Sequence, residues 1–413
     1  MCTPLGACLA FKGIQGAITL LHGSQGCATY IRRYMISHYK EPVDIASSNF
    51  SEQTAVFGGG SNLIKALENV TKQYNPVLIG VASTCLSETI GEDMAGIIRG
   101  YCERHPEAPV IVPVSTASYQ GTHADGYWKA LRAVVEQLVV KTPTQEIKRQ
   151  INVFPGICSP ADIRYLKEIA GDFRLPFVLL PDYSETLDGP AWTDYQRLPS
   201  GGTTVTEITS TGQSQNTLQF GKTANEHPYS PGEYLWEKFG IPVYKLGLPI
   251  GVAATDYLFR LLPLLSGNAV PDKYRQERGR LIDAYVDGHK YVSQKKAIVY
   301  GEKDLVIALD LFLKEIGVNV VLAAYGDETD FETIAEQARE LKPDFFIGNS
   351  KGYRIARELD VPLVRVGFPI HDRFGAQRLL HYGYRGTQEL FDRIVNALLD
   401  KKQDDSDMGY SYL

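Results

Sequence analysis

Short unbroken apolar runs alternate with amphipathic stretches along this chain. Pro76-Val-Leu-Ile-Gly-Val-Ala82 is apolar without a polar alternate, the pattern of a strand buried on both faces of a parallel sheet. A loop with Cys85 follows, then a predicted helix from Thr89 to Tyr101. Val110–Val114 reads as the next strand and Asp125–Val140 as an amphipathic helix. A second block opens at Glu146. It runs strand, Pro-Gly turn, and a helix from Ser159 to Ala170, with Ser159 as N-cap ahead of Pro160. Strand Pro176–Pro181 comes next. A third block starts near Lys295: strand Ala297–Tyr300, helix Asp304–Ile316, strand Asn319–Ala324, helix Asp330–Leu341, and strands Asp344–Ile347 and Leu363–Val366.

This β-α-β rhythm predicts an α/β fold of three Rossmann-like, doubly wound parallel-sheet (αβα) domains. The expected divisions are an N-terminal domain over 1–145, a middle domain with connecting helices over 146–290, a C-terminal domain over 291–400, and a frayed polar tail over 401–413. Ligands in such folds sit past the carboxyl ends of strands.

The 413 residues are 44% hydrophobic, with 38 Gly and 22 Pro, enough for several real cores. A net charge of −6 argues against a nucleic-acid partner. The longest apolar runs are interrupted, as Leu258–Leu265 is by Arg260 and Pro263, so no membrane span is expected. The N-terminus shows no basic-then-apolar signal. The 6 cysteines are scattered and contain no CxxC pair, which argues against a zinc ribbon or thioredoxin-type site and fits a reducing cytoplasm. No Gly-x-x-x-x-Gly-Lys-Ser/Thr loop is present, so ATP hydrolysis would fall to a partner.

Three cysteines stand at small-residue loops: Cys2 before Thr-Pro-Leu-Gly, Cys27 closing His22-Gly-Ser-Gln-Gly, and Cys85 after Ala82-Ser-Thr. Soft thiolates on glycine-rich loops suit iron–sulfur clusters. Three ligands are too few for a cluster that wants four or more, which places the remainder on another chain. The alternative for any one cysteine is a small buried hydrophobe, and Cys8, Cys102 and Cys158 read that way.

Cys2-Thr-Pro-Leu-Gly-Ala7, His22-Gly-Ser-Gln-Gly-Cys27-Ala-Thr-Tyr30, His38-Tyr-Lys-Glu-Pro42, Phe50–Gly60 and Thr84–Asp93 keep one order and spacing with Ser118–His123, Gly201–Thr204, Glu277–Asp283, Gly348-Asn-Ser350 and Gly367–Arg373. Together they resemble the β-type chain of the nitrogenase component 1 family over nearly the whole length. The resemblance implies a β subunit of a nitrogenase-like reductase, paired with an α-type subunit in an α₂β₂ heterotetramer. It would relay electrons from an ATP-dependent iron protein to a substrate-reducing cofactor in the α subunit. The substrate would be N2 or another small molecule such as a methylthio-alkane. Cys2, Cys27 and Cys85 match three ligands of a P-cluster-type 8Fe–7S centre at the α/β interface, a 4Fe–4S centre being the alternative. Ser118 matches a serine that binds the oxidised cluster, against the reading of an ordinary loop hydroxyl.

Further roles follow from the same resemblance. Tyr30 and His22 match an electron relay, with Tyr30 as a packing residue the alternative. Phe57 matches an exposed aromatic at the donor-docking surface, against a core ring under its loop. Asp283 and Asp287 lie four apart on a helix-like segment and share a face. With Glu41 and the Lys40 carbonyl from another β chain they would form an oxygen-rich site for an interfacial divalent cation. The alternative is a solvated acidic face neutralised by Arg278, Arg280 or Lys290. No catalytic residue is assigned to this chain, and His371 reads as a hydrogen-bonded loop histidine.

The chain starts at the first ligand cysteine and is short in its centre, which points to a compact relative. In the β-like chain of the cofactor-maturation scaffold, as the family is described, the third cysteine is absent. Cys85 therefore favours a reductase, while His371-Asp-Arg373 and Tyr382–Thr387 look scaffold-like and keep that alternative open. A non-catalytic α/β binding module with structural cysteines is the competing class.

Overall fold

The apolar runs form three parallel sheets of four strands. The computed structural model describes residues 1–140, 146–326 and 328–407. The first sheet holds β1 (Ala17–His22), β2 (Ile45–Ser47), β3 (Leu78–Ser83) and β4 (Val110–Val114) in the order β2-β1-β3-β4. The second holds β5 (Lys148–Phe154), β6 (Phe177–Leu179), β7 (Ser214–Phe220) and β8 (Val243–Leu246) in the order β6-β5-β7-β8. The third holds β9 (Lys296–Gly301), β10 (Asn319–Tyr325), β11 (Phe345–Gly348) and β12 (Leu363–Arg365) in the order β10-β9-β11-β12. Each sheet winds outward from its first strand in both directions. The topological switch point therefore lies between its first and third strands. With helices between the strands, this is the expected three-domain α/β architecture.

By compactness the chain forms two units. Residues 1–163, 176–220 and 224–245 carry the first two sheets, and residues 164–175, 221–223 and 246–413 carry the third. The boundary expected at 145 and the end of the tail beyond 407 lie outside the described residues. The boundary expected at 290 falls inside a helix, Asp272–Val292.

In the first unit, β1 and β3 are buried at every residue, as unbroken apolar runs require. Ile18, Leu20, Ile79 and Val81 from these strands meet Leu63, Leu67 and Val70 from the helix Gly60–Tyr74 and Ile98 and Tyr101 from the helix Met94–Arg104. Two local features differ from the sequence expectation. Residues Thr3–Lys12, read as a loop and an apolar run, form a helix (α1) buried along its whole length. It lies against the helix His123–Leu138 so closely that a Cβ on Gly126 would sit 1.8 Å from the Thr3 carbonyl oxygen. The single helix expected over Thr89–Tyr101 is instead two, Cys85–Thr89 and Met94–Arg104. Gly91 at φ +70 breaks the first, and the Asp93 carboxylate caps the second by accepting from the Gly96 N–H at 2.9 Å.

In the second unit, Ile298, Tyr300, Ala324 and Phe346 of the third sheet meet Ile334, Ala338 and Ile355 of the helices around it. Of the tail expected to fray, Lys401–Asp404 is the last turn of the helix Gly383–Asp404. There Lys401 Nζ reaches Asp360 at 2.7 Å and Asp405 at 2.6 Å. No helix among the described residues is long and apolar enough to cross a membrane.

Candidate metal centre

The three loop cysteines come to the carboxyl edge of the first sheet. Cys27 lies in the first turn of α2 (Gln25–Tyr39), just past β1; Ser24 caps that helix by accepting from the Gly26 N–H at 3.3 Å. The region from β2 to β3 contains α3 (Glu52–Phe57) and α4 (Gly60–Tyr74). Cys85 is the first residue of α5 (Cys85–Thr89), just past β3, and α6 is Met94–Arg104. So Cys27 and Cys85 flank the switch point between β1 and β3, where a doubly wound sheet opens a crevice. Cys2 arrives from the chain start. It bridges to Thr122 in antiparallel register, and Thr3 Oγ1 donates to the Gly121 carbonyl at 2.9 Å. Ser118 begins a short turn past β4, and its backbone N–H donates to Cys85 Sγ at 3.2 Å.

Cys2, Cys27 and Cys85 are half-buried, whereas Cys8 is fully buried. Burial pushes the Cys8 thiol far up and makes it inert. Burial also raises the thiols of Cys2 and Cys27, and the neighbouring sulfurs raise them further: Cys85 acts on Cys2, and both Cys2 and Cys85 act on Cys27. The three sulfurs are thus near enough to act on one another electrostatically. Among the described residues no three His, Cys, Asp or Glu side chains are arranged to hold a single metal ion. Soft thiolates on loops are the donor type of iron–sulfur centres. Cys102 and Cys158 are also half-buried, and the Cys158 carbonyl accepts from the Tyr183 hydroxyl at 2.8 Å.

His22 ends β1 and is fully buried. Its Nε2 lies 2.9 Å from Glu92 Oε2, and its Nδ1 lies 3.0 Å from Ser48 Oγ. A carboxylate only accepts, so Nε2–H donates to Glu92 and Nδ1 accepts from the Ser48 hydroxyl. Burial lowers the His22 pKa against the pull of Glu92, in keeping with a neutral ring. The His22 carbonyl accepts from the Thr84 N–H at 3.1 Å and from Ser87 Oγ at 2.8 Å, which joins the end of β1 to the Cys85 loop. Gly23 lets these loops touch: a Cβ there would sit 1.8 Å from Thr84 Oγ1.

Residues 2–399 match the family model described as "Nitrogenase component 1 type Oxidoreductase". The chain belongs to the nitrogenase component 1 family, as a β-type chain. It is 36% identical to the nitrogenase molybdenum-iron protein beta chain of Clostridium pasteurianum, over 97% of this chain and 92% of that one. It is 35% identical to the beta chain of Methanothermobacter thermautotrophicus, over 96% and 93%. It is also 32% identical to the nitrogenase iron-molybdenum cofactor biosynthesis protein NifN of Bradyrhizobium diazoefficiens, over 97% and 88%. Among solved structures, a chain of "Nitrogenase Cp1 at pH 6.5" superposes with a TM-score of 0.94 at 34% identity, covering 100% of this chain and 95% of that one. The chain is thus a component 1 oxidoreductase chain, and its fold matches that of a solved relative.

The other predicted residues of this component 1 chain fall as follows. Tyr30 is 63% exposed and Phe57 is 87% exposed, so neither is a core ring within this chain. Asp283 and Asp287 are exposed one turn apart on the helix Asp272–Val292. Arg278 does not neutralise them; its guanidinium is committed to Asp256 at 2.8 and 2.9 Å. Lys40 is exposed in the left-handed conformation that ends α2, and Glu41 is half-buried. His371 is exposed, and its backbone N–H donates to Ser350 Oγ at 3.1 Å. Sequence reading missed Glu92 and Ser48 as partners of His22. Glu92 stands inside the conspicuous segment Thr84–Asp93, but its partners lie 70 and 33 positions away.

Proposed function

We propose that this chain is the β-type subunit of a nitrogenase-like reductase, and that Cys2, Cys27 and Cys85 hold one side of a P-cluster-type 8Fe–7S centre completed by an α-type subunit. The observation that carries this reading is the convergence of three half-buried sulfurs, from three separate segments, on one edge of the first sheet. When bound, such a centre supplies a low-potential electron carrier. The rest belongs to the chain. The three thiols bind. The Ser118 N–H donates toward Cys85 Sγ, a contact of the kind that tunes sulfur ligands, and its hydroxyl is a further candidate ligand. The helix N-termini at Cys27 and Cys85 present their positive ends to the anionic sulfurs.

Tyr30, Leu86 and Tyr119 stand exposed beside Cys27, Cys85 and Ser118 in sequence. Exposed apolar groups around ligands of an incomplete set support coverage by a partner chain, here the α subunit of an α₂β₂ heterotetramer. Val56 and Phe57, 75% and 87% exposed, support docking of an ATP-dependent iron protein as electron donor. The exposed Tyr30 and the buried His22 are then the relay residues, and the substrate is N2 or another small molecule such as a methylthio-alkane. Lys40, Glu41, Asp283 and Asp287 are assigned to a divalent-cation site across a two-fold β–β contact.

The similarity to NifN supports a second reading, a subunit of the cofactor-maturation scaffold with a 4Fe–4S centre. Anaerobic co-production with the neighbouring α chain and iron counting separates the two. About eight irons per αβ pair, with activity in reducing a small molecule, supports the reductase; about four supports the scaffold. A colourless, iron-free complex sinks both and leaves the binding module.

A further inference from the structure

Glu92 is a carboxylate buried where charges are rarely tolerated: its side chain is 8% exposed and faces the fully buried His22. Two things hold it. Its Oε2 accepts from the His22 Nε2–H at 2.9 Å, and its Oε1 accepts from the Gly59 N–H at 2.6 Å. Gly59 caps α4, so the carboxylate also lies at a helix N-terminus. Gly59 makes room for it: a Cβ there would lie 3.1 Å from Glu92 Oε2 and collide with the Phe50 ring at 2.3 Å. Phe50 in turn meets His22 edge-on, with ring centres 4.9 Å apart.

The connections form one continuous line. Phe57 precedes the glycine run and is exposed. Gly59 holds Glu92, Glu92 holds His22, and the His22 carbonyl holds Thr84 and Ser87 on either side of Cys85. On its other nitrogen His22 takes Ser48, whose oxygen also accepts from the Gly23 N–H at 2.9 Å, at the root of the Cys27 loop. A displacement of the exposed loop therefore reaches both cysteine loops through one side chain.

We propose that Glu92 is a positioning residue that couples the exposed Phe57–Gly60 loop to the Cys27 and Cys85 loops by sharing one carboxylate between Gly59 and His22. This rests on the reading of Phe57 as the donor-docking ring and of the cysteines as cluster ligands. A donor pressing on the loop shifts Gly59, and the shared carboxylate carries that shift to the end of β1. Gly59 and His22 touch Glu92 from α4 and β1, so neither loop has to move far.

The test uses the assembled α/β complex, loaded with iron, and compares Glu92→Ala, Glu92→Gln and Phe57→Ala. Reduction is driven in one arm by the iron protein with ATP and in the other by a small redox mediator. Glu92→Ala is expected to keep its iron and its mediator-driven behaviour. At saturating iron protein its transfer rate should fall roughly tenfold or more, as small misplacements do in preorganised sites. Glu92→Gln preserves length and both contacts once the His22 tautomer reverses, so it should recover most of the rate. Phe57→Ala should instead raise the half-saturating concentration of iron protein. Should Glu92→Ala lose iron, Glu92→Asp carries the same comparison, since it keeps the charge but is one methylene too short to span both partners. Native transfer in the iron-loaded variant at saturating donor overturns the coupling. So does an equal loss in the mediator arm, which makes Glu92 a brace of the cysteine pocket. If Phe57→Ala leaves the donor dependence unchanged, the docking reading fails instead, whatever Glu92 does.

Discussion

The first and third sheets share one strand order, and the loops past their strands carry opposite chemistry. Past β11 and β12 the polar groups satisfy one another. The Arg365 guanidinium grips Asp372 at 2.7 to 3.0 Å, Ser350 donates to the same carboxylate, and the Asn349 amide donates to the Phe368 carbonyl at 3.2 Å. Past β1, β3 and β4 three sulfurs gather, with a backbone N–H on Cys85 and, among the described residues, no cationic side chain paired to them. A doubly wound sheet supplies a crevice wherever it occurs. Whether that crevice becomes a site depends on whether its groups are left needing a ligand. Substitutions in the two places should therefore fail differently.

The largest effect is expected at the sulfurs. Cys27→Ala or Cys85→Ala removes a soft ligand that water cannot replace. Iron should be lost, and activity with it, while the circular dichroism of the complex stays native, because the apolar cores of the first and third sheets do not include Cys27 or Cys85. Full iron content in both variants would exclude them as ligands. Next comes Phe57→Ala. An exposed aromatic anchor at an interface contributes about 2 kcal/mol, or roughly thirtyfold in donor affinity. Iron and mediator titrations should stay native. Tyr30→Leu should slow transfer within the complex without changing donor affinity; normal single-turnover transfer would remove it from the relay.

At the third sheet the loss should be of stability alone. Arg365 and Asp372 are 11% and 22% exposed, so Arg365→Ala strands a poorly solvated carboxylate and costs about 2 kcal/mol in urea unfolding, with iron unchanged. Burial would raise the Asp372 carboxyl, but hydrogen bonds from Arg365 and Ser350 outweigh it and hold the pKa below its usual value. A carboxyl lowered on folding contributes stability that is present above its unfolded pKa of about 4 and is lost as pH falls through the folded value. Asp372→Asn should therefore flatten the acid limb of the stability profile. An acid limb as steep as the native one would place the linkage elsewhere.

What the sequence made legible follows from range. β3 to β6 and the strands of the third sheet were readable because short apolar runs such as Leu78–Ala82 have few homes other than a parallel sheet, whereas β1, β2, β7 and β8, broken by polar residues or only three or four residues long, went unread. The cysteines were readable because each stands in its own small-residue loop. Helix α1 was not, since a segment buried all round shows no amphipathic period. The break at Gly91–Asp93 was written in residues, a glycine and a cap, that the helical period around them obscured. Glu92 was hidden for another reason. A buried carboxylate is intelligible only beside its partners, and His22 and Gly59 are brought to it by the winding of the sheet.

The smallest effect is expected at the acidic pair, and it tests whether a second place in the third-sheet unit needs a ligand. Asp283 and Asp287 are exposed on one face of a long helix, and among the described residues neither forms an ion pair. Arg278, on the same helix, is held by Asp256, whose carboxylate the Tyr384 hydroxyl shares at 2.7 Å, so it is not available to them. Like charges one turn apart repel, which an isolated helix tolerates at little cost in salt. A two-fold contact that brought Glu41 and the Lys40 carbonyl of a second β chain against them would need a divalent cation between. Sedimentation of the complex with calcium or magnesium, against the same complex in chelator, reads this directly. Chelation should weaken association of the αβ pairs by roughly threefold or more. The double variant Asp283→Asn with Asp287→Asn should associate equally well with and without the cation. A native complex indifferent to chelator would leave the pair a solvated acidic face.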